Sequence, residues 1–193
     1  MPLILCANGK GIGIWIDASH AVHADMKGHV GTYASMGKGA VISSASKAKL
    51  NTGSSTETEV VAVGEKICKF VWFRYLREHQ TGYANEDILY QDNKSSMLLE
   101  NNGIFSARKE SKHIHIRYYL ITDRVKKKEF KIMYCPTEEM IADFFTKPLQ
   151  GAQFVKFRDA VLGIDAKNDA EYLASYQAVL KKFGLVEEEN AEA

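Results

Sequence analysis

The stretch GIGIWIDAS, residues 11–19, predicts the central strand of the fold. Isoleucine occupies every second position from 12 to 16, which is the period of a β-strand with one buried face. Asp17 follows at the carboxyl end of this run. The stretch therefore predicts a core strand that carries an acidic side chain to one edge of a sheet.

The segments that follow predict a hairpin, a crossover helix and a fourth strand. GHVGTYASMGKG (28–39) and AVISSASKAKL (40–50) are rich in β-forming residues and meet at a glycine turn, which is typical of a hairpin. SSTETEVVAV (54–63) joins a polar helix start to an apolar stripe, and we expect this helix to end near Glu78. DILYQD (87–92) predicts the fourth strand.

The rest of the chain adds helices and a fifth strand. We expect a short helix at 93–100, a long helix at 112–128, a strand at 130–134, and a helix from Pro136 that ends before Pro148. The order β-β-β-α-β-α-α-β-α predicts an α/β fold, with a mixed five-stranded sheet flanked by helices. A right-handed crossover brings Asp17 and Asp92 to the ends of adjacent parallel strands.

Four acidic residues are expected to converge at that edge of the sheet. Asp17 and Asp92 end the parallel strands, and Glu59 lies on the buried face of the crossover helix. Asp143 lies among apolar residues of the last predicted core helix, and no basic partner is expected for the four. Buried carboxylates are costly unless they are paired or bind a cation. Hard oxygen ligands favour Mg²⁺, with Mn²⁺ as an alternative, and two such ions suit phosphodiester hydrolysis.

The helix start admits a plainer interpretation of its two glutamates. Thr56-x-x-Glu59 and Ser54-x-x-Glu57 both fit the capping box, in which a side chain at the third helical position closes back on the cap. We therefore assign Glu59 a capping role together with its metal-binding role. Glu57 is assigned to the helix start alone.

Length and composition indicate one domain with an appendage. The chain has 193 residues, 46% of them hydrophobic, and a net charge of +1, which carries no global signal for nucleic acid or membrane. We expect one domain at 1–163, followed at 164–193 by an amphipathic helix (169–183) and an acidic tail. Three scattered cysteines favour a reducing, intracellular compartment, and no apolar run is long enough to span a membrane.

Several ordered motifs resemble a known family. WIDAS, SSTETEVVAV, YQDNKSS, KHIHIRYYLITDRV and ADFFTKPL resemble, in this order, the ribonuclease H domain of copia-type LTR retrotransposon polyproteins, and the resemblance covers about residues 11–163. It implies a ribonuclease H-like fold and an endonuclease that hydrolyses the RNA strand of RNA–DNA hybrids during reverse transcription. It also implies that two Mg²⁺ ions are held by the catalytic set Asp17, Glu59, Asp92 and Asp143.

The resemblance further implies partners and a location. The substrate is an RNA–DNA hybrid, with His113, Lys94 and Arg117 as candidate contacts to nucleic acid. A reverse transcriptase polymerase domain is expected in the same polyprotein, with no membrane partner, in a cytoplasmic virus-like particle or the nucleus. Two alternatives stay open. One is a catalytically silent, retroelement-derived interaction module that docks through 169–183. The other is a DNA nuclease of the same fold, which the ending ADFFTKPL disfavours.

Overall fold

A computed structural model describes residues 3–103 and 120–165. The strands are β1 (Cys6–Ala7), β2 (Gly13–Ser19), β3 (His29–Ser35), β4 (Gly37–Lys38), β5 (Ile42–Lys47), β6 (Asp87–Gln91) and β7 (Phe130–Tyr134). The helices are α1 (Ser55–Thr81), α2 (Lys94–Asn102), the helical residues 120–126 (α3) and α4 (Gly151–Leu162). Two 3₁₀ segments, Thr137–Glu139 and Ile141–Phe145, lie between β7 and α4.

Five of the strands form one mixed sheet in the order β5-β3-β2-β6-β7. Strand β2 pairs antiparallel with β3, and β3 pairs antiparallel with β5, as the hairpin prediction required. Strand β6 lies parallel to β2 on its other side, and β7 lies parallel to β6. The predicted α/β fold with a mixed five-stranded sheet is confirmed. The short strands β1 and β4 form a separate antiparallel pair that the sequence analysis did not predict.

The core lies between the sheet and α1. Ile12, Ile14 and Ile16 are completely buried, as their alternation predicted. They belong to the same apolar cluster as Val63 and Ile67 of α1. Burial of each such side chain contributes about 1.5–3 kcal/mol to folding. This cluster fixes α1 across β2, so the start of α1 comes to the carboxyl end of the strand.

The start of α1 settles which capping register the sequence uses. Ser54 is the N-cap, and its hydroxyl accepts a hydrogen bond from the backbone N–H of Glu57 at 3.2 Å. The Glu57 carboxylate closes back on the N–H of Gly53 at 2.6 Å. The capping role assigned to Glu59 is therefore wrong. Because Ser54 takes the cap, Glu59 falls in the second turn, beyond reach of the free N–H groups.

The segment after β7 also differs from its prediction. The expected continuous helix from Pro136 is two short 3₁₀ segments separated at Met140, whose backbone (φ −76°, ψ 84°) is not helical. The helix α4 was not predicted, although Phe154, Phe157 and Val161 recur at helical spacing. Helix α4 ends at Gly163, which adopts the left-handed conformation common at helix ends.

The predicted helix at 112–128 is described only in part, since its first eight residues lie outside the described ranges, and 120–126 are helical. The predicted helix at 169–183 lies wholly outside them. Among the helices that the structure describes, none has both the length and the hydropathy of a membrane span.

Candidate active site

Two parallel strands bring Asp17 and Asp92 to the same edge of the sheet. Trp15 of β2 is in register with Tyr90 of β6, and each aspartate comes two residues later in the chain. Asp17 is 3% exposed, whereas Asp92, just past the end of β6, is half-buried. The carboxyl edge of a parallel pair is where α/β folds place their sites.

Glu59 reaches the same edge from α1. It is 6% exposed, and its Oε2 has no hydrogen-bond partner within the described part of the chain. Asp17, Glu59 and Asp92 each offer one oxygen, and these three oxygens lie within 4.8 Å of one another. A buried carboxylate oxygen without a donor is costly, and two further carboxylates beside it increase that cost.

The electrostatics of the site reflect this crowding. Burial raises the pKa of Glu59 well above its usual value, and the charges of Asp17, Asp92 and Glu100 raise it further. Burial and then Asp17 also raise the pKa of Asp92, against the opposing effect of Lys147. The protein thus holds these groups where their ionised forms are unfavourable, as a cation site does before the cation binds.

Glu100 is an acidic neighbour that the sequence analysis missed. It lies on α2, is completely buried, and accepts a weak 3.5 Å hydrogen bond from Nε2 of Gln91. Burial raises the pKa of its carboxyl well above the usual value. The buried position of Glu100 can be recognised only from the packing of α2, because the segment NKSSMLLE has few apolar residues that would define a buried face.

Asp143 lies nearby but is paired differently. It is 1% exposed in the second 3₁₀ segment, and its Oδ2 accepts a hydrogen bond from Nζ of Lys147 at 2.7 Å. The expectation that the acids have no basic partner is therefore wrong. The signal was present in ADFFTKPL, since Lys147 follows Asp143 by four residues, the spacing of an ion pair on a helical turn. Burial raises the pKa of Asp143 to about 6, although Lys147 opposes that rise.

The 3₁₀ segment is tied closely to the sheet. The hydroxyl of Thr146 donates a hydrogen bond to Oδ2 of Asp17, and the hydroxyl of Ser19 donates to the carbonyl of Thr146 at 3.2 Å. Gly31 lies opposite Asp17 on β3, and a Cβ there would come within 2.7 Å of the Ala142 carbonyl oxygen. Absence of a side chain at Gly31 thus lets the segment approach the sheet.

Asp17, Glu59 and Asp92 line a cleft of about 540 Å³. Besides the acids, its lining includes Ser19, Asn93, Lys94, Tyr134 and Lys147. Nζ of Lys94 lies 4.9 Å from the centre of the Tyr134 ring, close enough for a cation–π contact. Of the three predicted nucleic-acid contacts, the structure brings Lys94 to the cleft. His113 and Arg117 lie outside the described residues.

Sequence comparison relates the chain to transposon polyproteins. It is 29% identical over 108 residues to the retrovirus-related Pol polyprotein from transposon TNT 1-94 of Nicotiana tabacum, which covers 56% of this chain. It is 30% identical over 115 residues, or 59% of this chain, to the Pol polyprotein from transposon RE2 of Arabidopsis thaliana. The matched segment spans 8% of each polyprotein. No protein-family model matches the sequence.

Structural comparison agrees with the topology. The fold is similar to that of LC11-RNase H1, isolated from compost by a metagenomic approach, with a TM-score of 0.50 and 13% identity. The match covers 69% of this chain and 91% of that protein. The chain has the ribonuclease H fold. Its homologues are retrovirus-related Pol polyproteins of transposons, which confirms the resemblance that the sequence motifs predicted. Within this fold, Asp17, Glu59 and Asp92 form the group among the described residues whose oxygens lie close enough together to share a metal ion.

Proposed function

We propose that the chain is a metal-dependent ribonuclease H that cleaves the RNA strand of RNA–DNA hybrids. One observation carries the proposal: three carboxylate oxygens lie within 4.8 Å of one another at the carboxyl edge of a ribonuclease H fold. The fold alone is compatible with several activities, because function depends on the site. Here the site offers oxygen ligands, a cleft and two lysines in that cleft, which suits phosphodiester hydrolysis.

The residues present fit a divalent cation. Hard carboxylate oxygens are the ligands that Mg²⁺ and Mn²⁺ prefer. Glu59 Oε2 is buried and has no hydrogen-bond partner among the described residues, and a bound cation would supply the missing interaction. Asp17, Glu59 and Asp92 would hold a first ion, and Asp143 would join the set for a second. When bound, such ions supply positive charge that activates water and offsets charge on the scissile phosphate.

The protein's own groups prepare that chemistry. Thr146 fixes one oxygen of Asp17 by its hydrogen bond, so the other oxygen keeps a defined direction. The apolar cluster beneath β2 fixes α1, and hence Glu59, relative to the strand. Such positioning lowers the barrier because the ligands need no reorganisation during the reaction.

Recognition of the hybrid is proposed to depend on groups around the cleft. Lys94 lines the cleft and is suited to a phosphate contact. His113 and Arg117, which lie outside the described residues, are proposed as further contacts. Phosphate contacts position a nucleic acid, whereas the 2′-hydroxyl distinguishes an RNA strand from DNA. We infer that minor-groove contacts to 2′-hydroxyls select the RNA strand.

The homologues suggest a wider setting for this activity. We propose that the ribonuclease H unit spans residues 1–163, that 164–193 form an appendage, and that a polymerase domain of the same polyprotein is its partner. The enzyme would act during reverse transcription inside the cell, in a cytoplasmic virus-like particle or in the nucleus.

Incubation with an end-labelled RNA–DNA hybrid and Mg²⁺ tests the proposal. We expect cleavage of the RNA strand by the wild-type chain and no cleavage of single-stranded RNA or duplex DNA. Asp17→Asn is the matched control, because it removes one ligand charge without changing side-chain size. Cleavage that survives in Asp17→Asn would identify a contaminating nuclease. A folded wild-type chain that leaves the hybrid intact would favour the silent interaction module, and one that cleaves duplex DNA would favour the DNA nuclease.

A further inference from the structure

A lysine on the lining of the acidic cleft is paired with the buried carboxylate of Asp143. Lys147 lines the cleft, and 39% of its side chain is exposed, whereas the Asp143 side chain that it contacts is 2% exposed. The backbone N–H of Lys147 also donates to the carbonyl of Asp143 at 2.9 Å, which closes the turn between them. The ion pair therefore joins a partly exposed lysine to a buried carboxylate.

Asp143 lies outside the group that the other three acids form. The described residues whose oxygens gather within 4.8 Å are Asp17, Glu59 and Asp92, and Asp143 is not in that group. Its Oδ2 is bonded to Lys147, and its Oδ1 is buried with no partner among the described residues. The carboxylate of Asp143 is thus held by an internal cation while the other three face one another.

The ion pair differs from an ordinary surface pair. Exposed pairs at this spacing contribute little, because water solvates both partners when they separate. Here the carboxylate is buried, so its separation from Lys147 leaves an unfavourable buried charge unless another cation replaces the ammonium. The charge of Lys147 also acts on Asp17 and Asp92. The pair therefore opposes any movement of Asp143 toward a metal ion.

We propose that Lys147 is a built-in counter-ion that competes with a divalent ion for the Asp143 carboxylate. This inference rests on the proposed metal-dependent function. It divides the site into two unequal halves. Asp17, Glu59 and Asp92 have no directly bonded lysine among the described residues, whereas an ion at Asp143 competes with the ammonium group that is bonded to it. The two ions should then bind in sequence, the second much more weakly than the first.

Counting bound Mn²⁺ tests this inference without an activity assay. Electron paramagnetic resonance measures free Mn²⁺ during a titration of the full chain, and the bound number follows. We expect the wild type to bind one ion tightly and a second weakly. Lys147→Met should bind the second ion about tenfold more tightly or better, with a smaller change for the first, because a competing unit charge is removed. Lys147→Gln should show the same change, and it replaces Lys147→Met in the test if Lys147→Met does not fold.

Two further variants separate specific competition from general charge. Lys147→Arg keeps a cation at the position and should resemble the wild type. Lys94→Met removes a positive charge from the same cleft but leaves the pair of Lys147 and Asp143 intact. It should change the affinities for both ions by similar, small factors. An equal gain for the second ion in Lys94→Met and Lys147→Met would overturn the inference, as would unchanged second-ion binding in Lys147→Met and Lys147→Gln.

The same titration distinguishes failure of the inference from failure of the proposed function. Asp17→Asn should weaken the first ion. If the wild type and Asp17→Asn bind Mn²⁺ equally, the proposed metal site is wrong and the inference fails with it. If the first ion depends on Asp17 while the second is indifferent to Lys147, the metal site stands and only the counter-ion role is wrong.

Discussion

The hydroxyl of Thr146 donates a hydrogen bond to Oδ2 of Asp17, although 129 positions separate the two residues in the chain. This bond ties the segment that carries Asp143 and Lys147 to the end of the central strand. It satisfies one oxygen of a buried carboxylate and leaves the other available for a ligand. Thr146 thus adds a direct bond between Asp17 and the segment that carries Asp143.

Replacement of Thr146 tests this connection. Thr146→Val keeps the shape of the side chain and removes the donor, so Asp17 loses a hydrogen bond to a buried charge. We expect the free energy of unfolding in EDTA to fall by about 1–3 kcal/mol. Hybrid cleavage should slow at least about tenfold, because Asp17 loses its fixed orientation. Thr146→Ser retains the hydroxyl and should stay near the wild type in both urea unfolding and cleavage. A Thr146→Val protein with wild-type activity would count against the positioning role.

The absence of a side chain at Gly31 should be necessary for the close approach of the 3₁₀ segment to the sheet. A Cβ at this position would lie 2.7 Å from a backbone oxygen of that segment, which cannot rotate away as a side chain can. We expect Gly31→Ala to displace Asp143 and slow hybrid cleavage about 10- to 100-fold, with a loss of about 1–3 kcal/mol of stability. Gly53→Ala is the control, since its Cβ meets only the end of the Glu57 side chain, at 3.3 Å. Equal cleavage rates for the two variants would refute the packing argument.

Asp143 should make metal-free stability depend on pH. Its pKa in the fold is raised from 3.8 to about 6, so between these values the folded protein binds a proton that the unfolded chain has released. The contribution of Asp143 to stability is therefore present below about pH 4 and is lost as the pH rises to about 6. In EDTA, the free energy of unfolding of the wild type minus that of Asp143→Asn should fall across this window and level off above it.

Asp25 provides the control for the pH series. The hydrogen bond from Lys47 lowers the pKa of this exposed carboxyl, so its contribution to stability is present above pH 3.8 and is lost as the pH falls below that value. The difference in unfolding free energy between wild type and Asp25→Asn should rise slightly between pH 4 and 5 and stay constant from pH 5 to 6, where the Asp143→Asn difference falls. A rising difference for Asp143→Asn across the same range would mean that Asp143 is ionised more easily in the fold than outside it.

Much of the architecture followed from local patterns. The alternation of Ile12, Ile14 and Ile16 predicted β2 because its period leaves one buried face. The parallel position of β6 followed from the handedness of the crossover through α1. These features depend on residues close in sequence or on a general rule of chain geometry, so a single sequence was enough to predict them.

Other features depend on contacts between distant residues. The close approach of Ile141–Phe145 to the sheet depends on the absence of a side chain at Gly31, which no periodicity in ADFFTKPL encodes. The bond from Thr146 to Asp17 likewise joins opposite ends of the domain. The contact of Lys147 with Asp143 is local and could have been predicted from its spacing. It was missed because the metal hypothesis favoured acids without partners.

Hybrid affinity should be modest for the isolated chain. Its net charge is +1, and the lysines on the cleft lining are Lys94 and Lys147. Each phosphate that a cation neutralises contributes about 0.9 to the logarithmic salt slope on B-form duplex, and we expect a similar order for hybrid. Fluorescence anisotropy at two salt concentrations should give micromolar or weaker binding with a shallow slope. Nanomolar binding with a steep slope would require a basic surface contributed by the remaining residues.

The central claim is that Glu59 is a metal-binding catalytic acid, whereas Glu57 serves the helix start. The most direct measurement is the rate of RNA-strand cleavage in an RNA–DNA hybrid with Mg²⁺, for the wild type, Glu59→Gln and Glu57→Gln, each verified as folded. Glu59→Gln should abolish cleavage. Glu57→Gln should lose at most about 1 kcal/mol of stability, as for a weakened cap, and cleave at nearly the wild-type rate. An active Glu59→Gln beside an inactive Glu57→Gln would contradict the account.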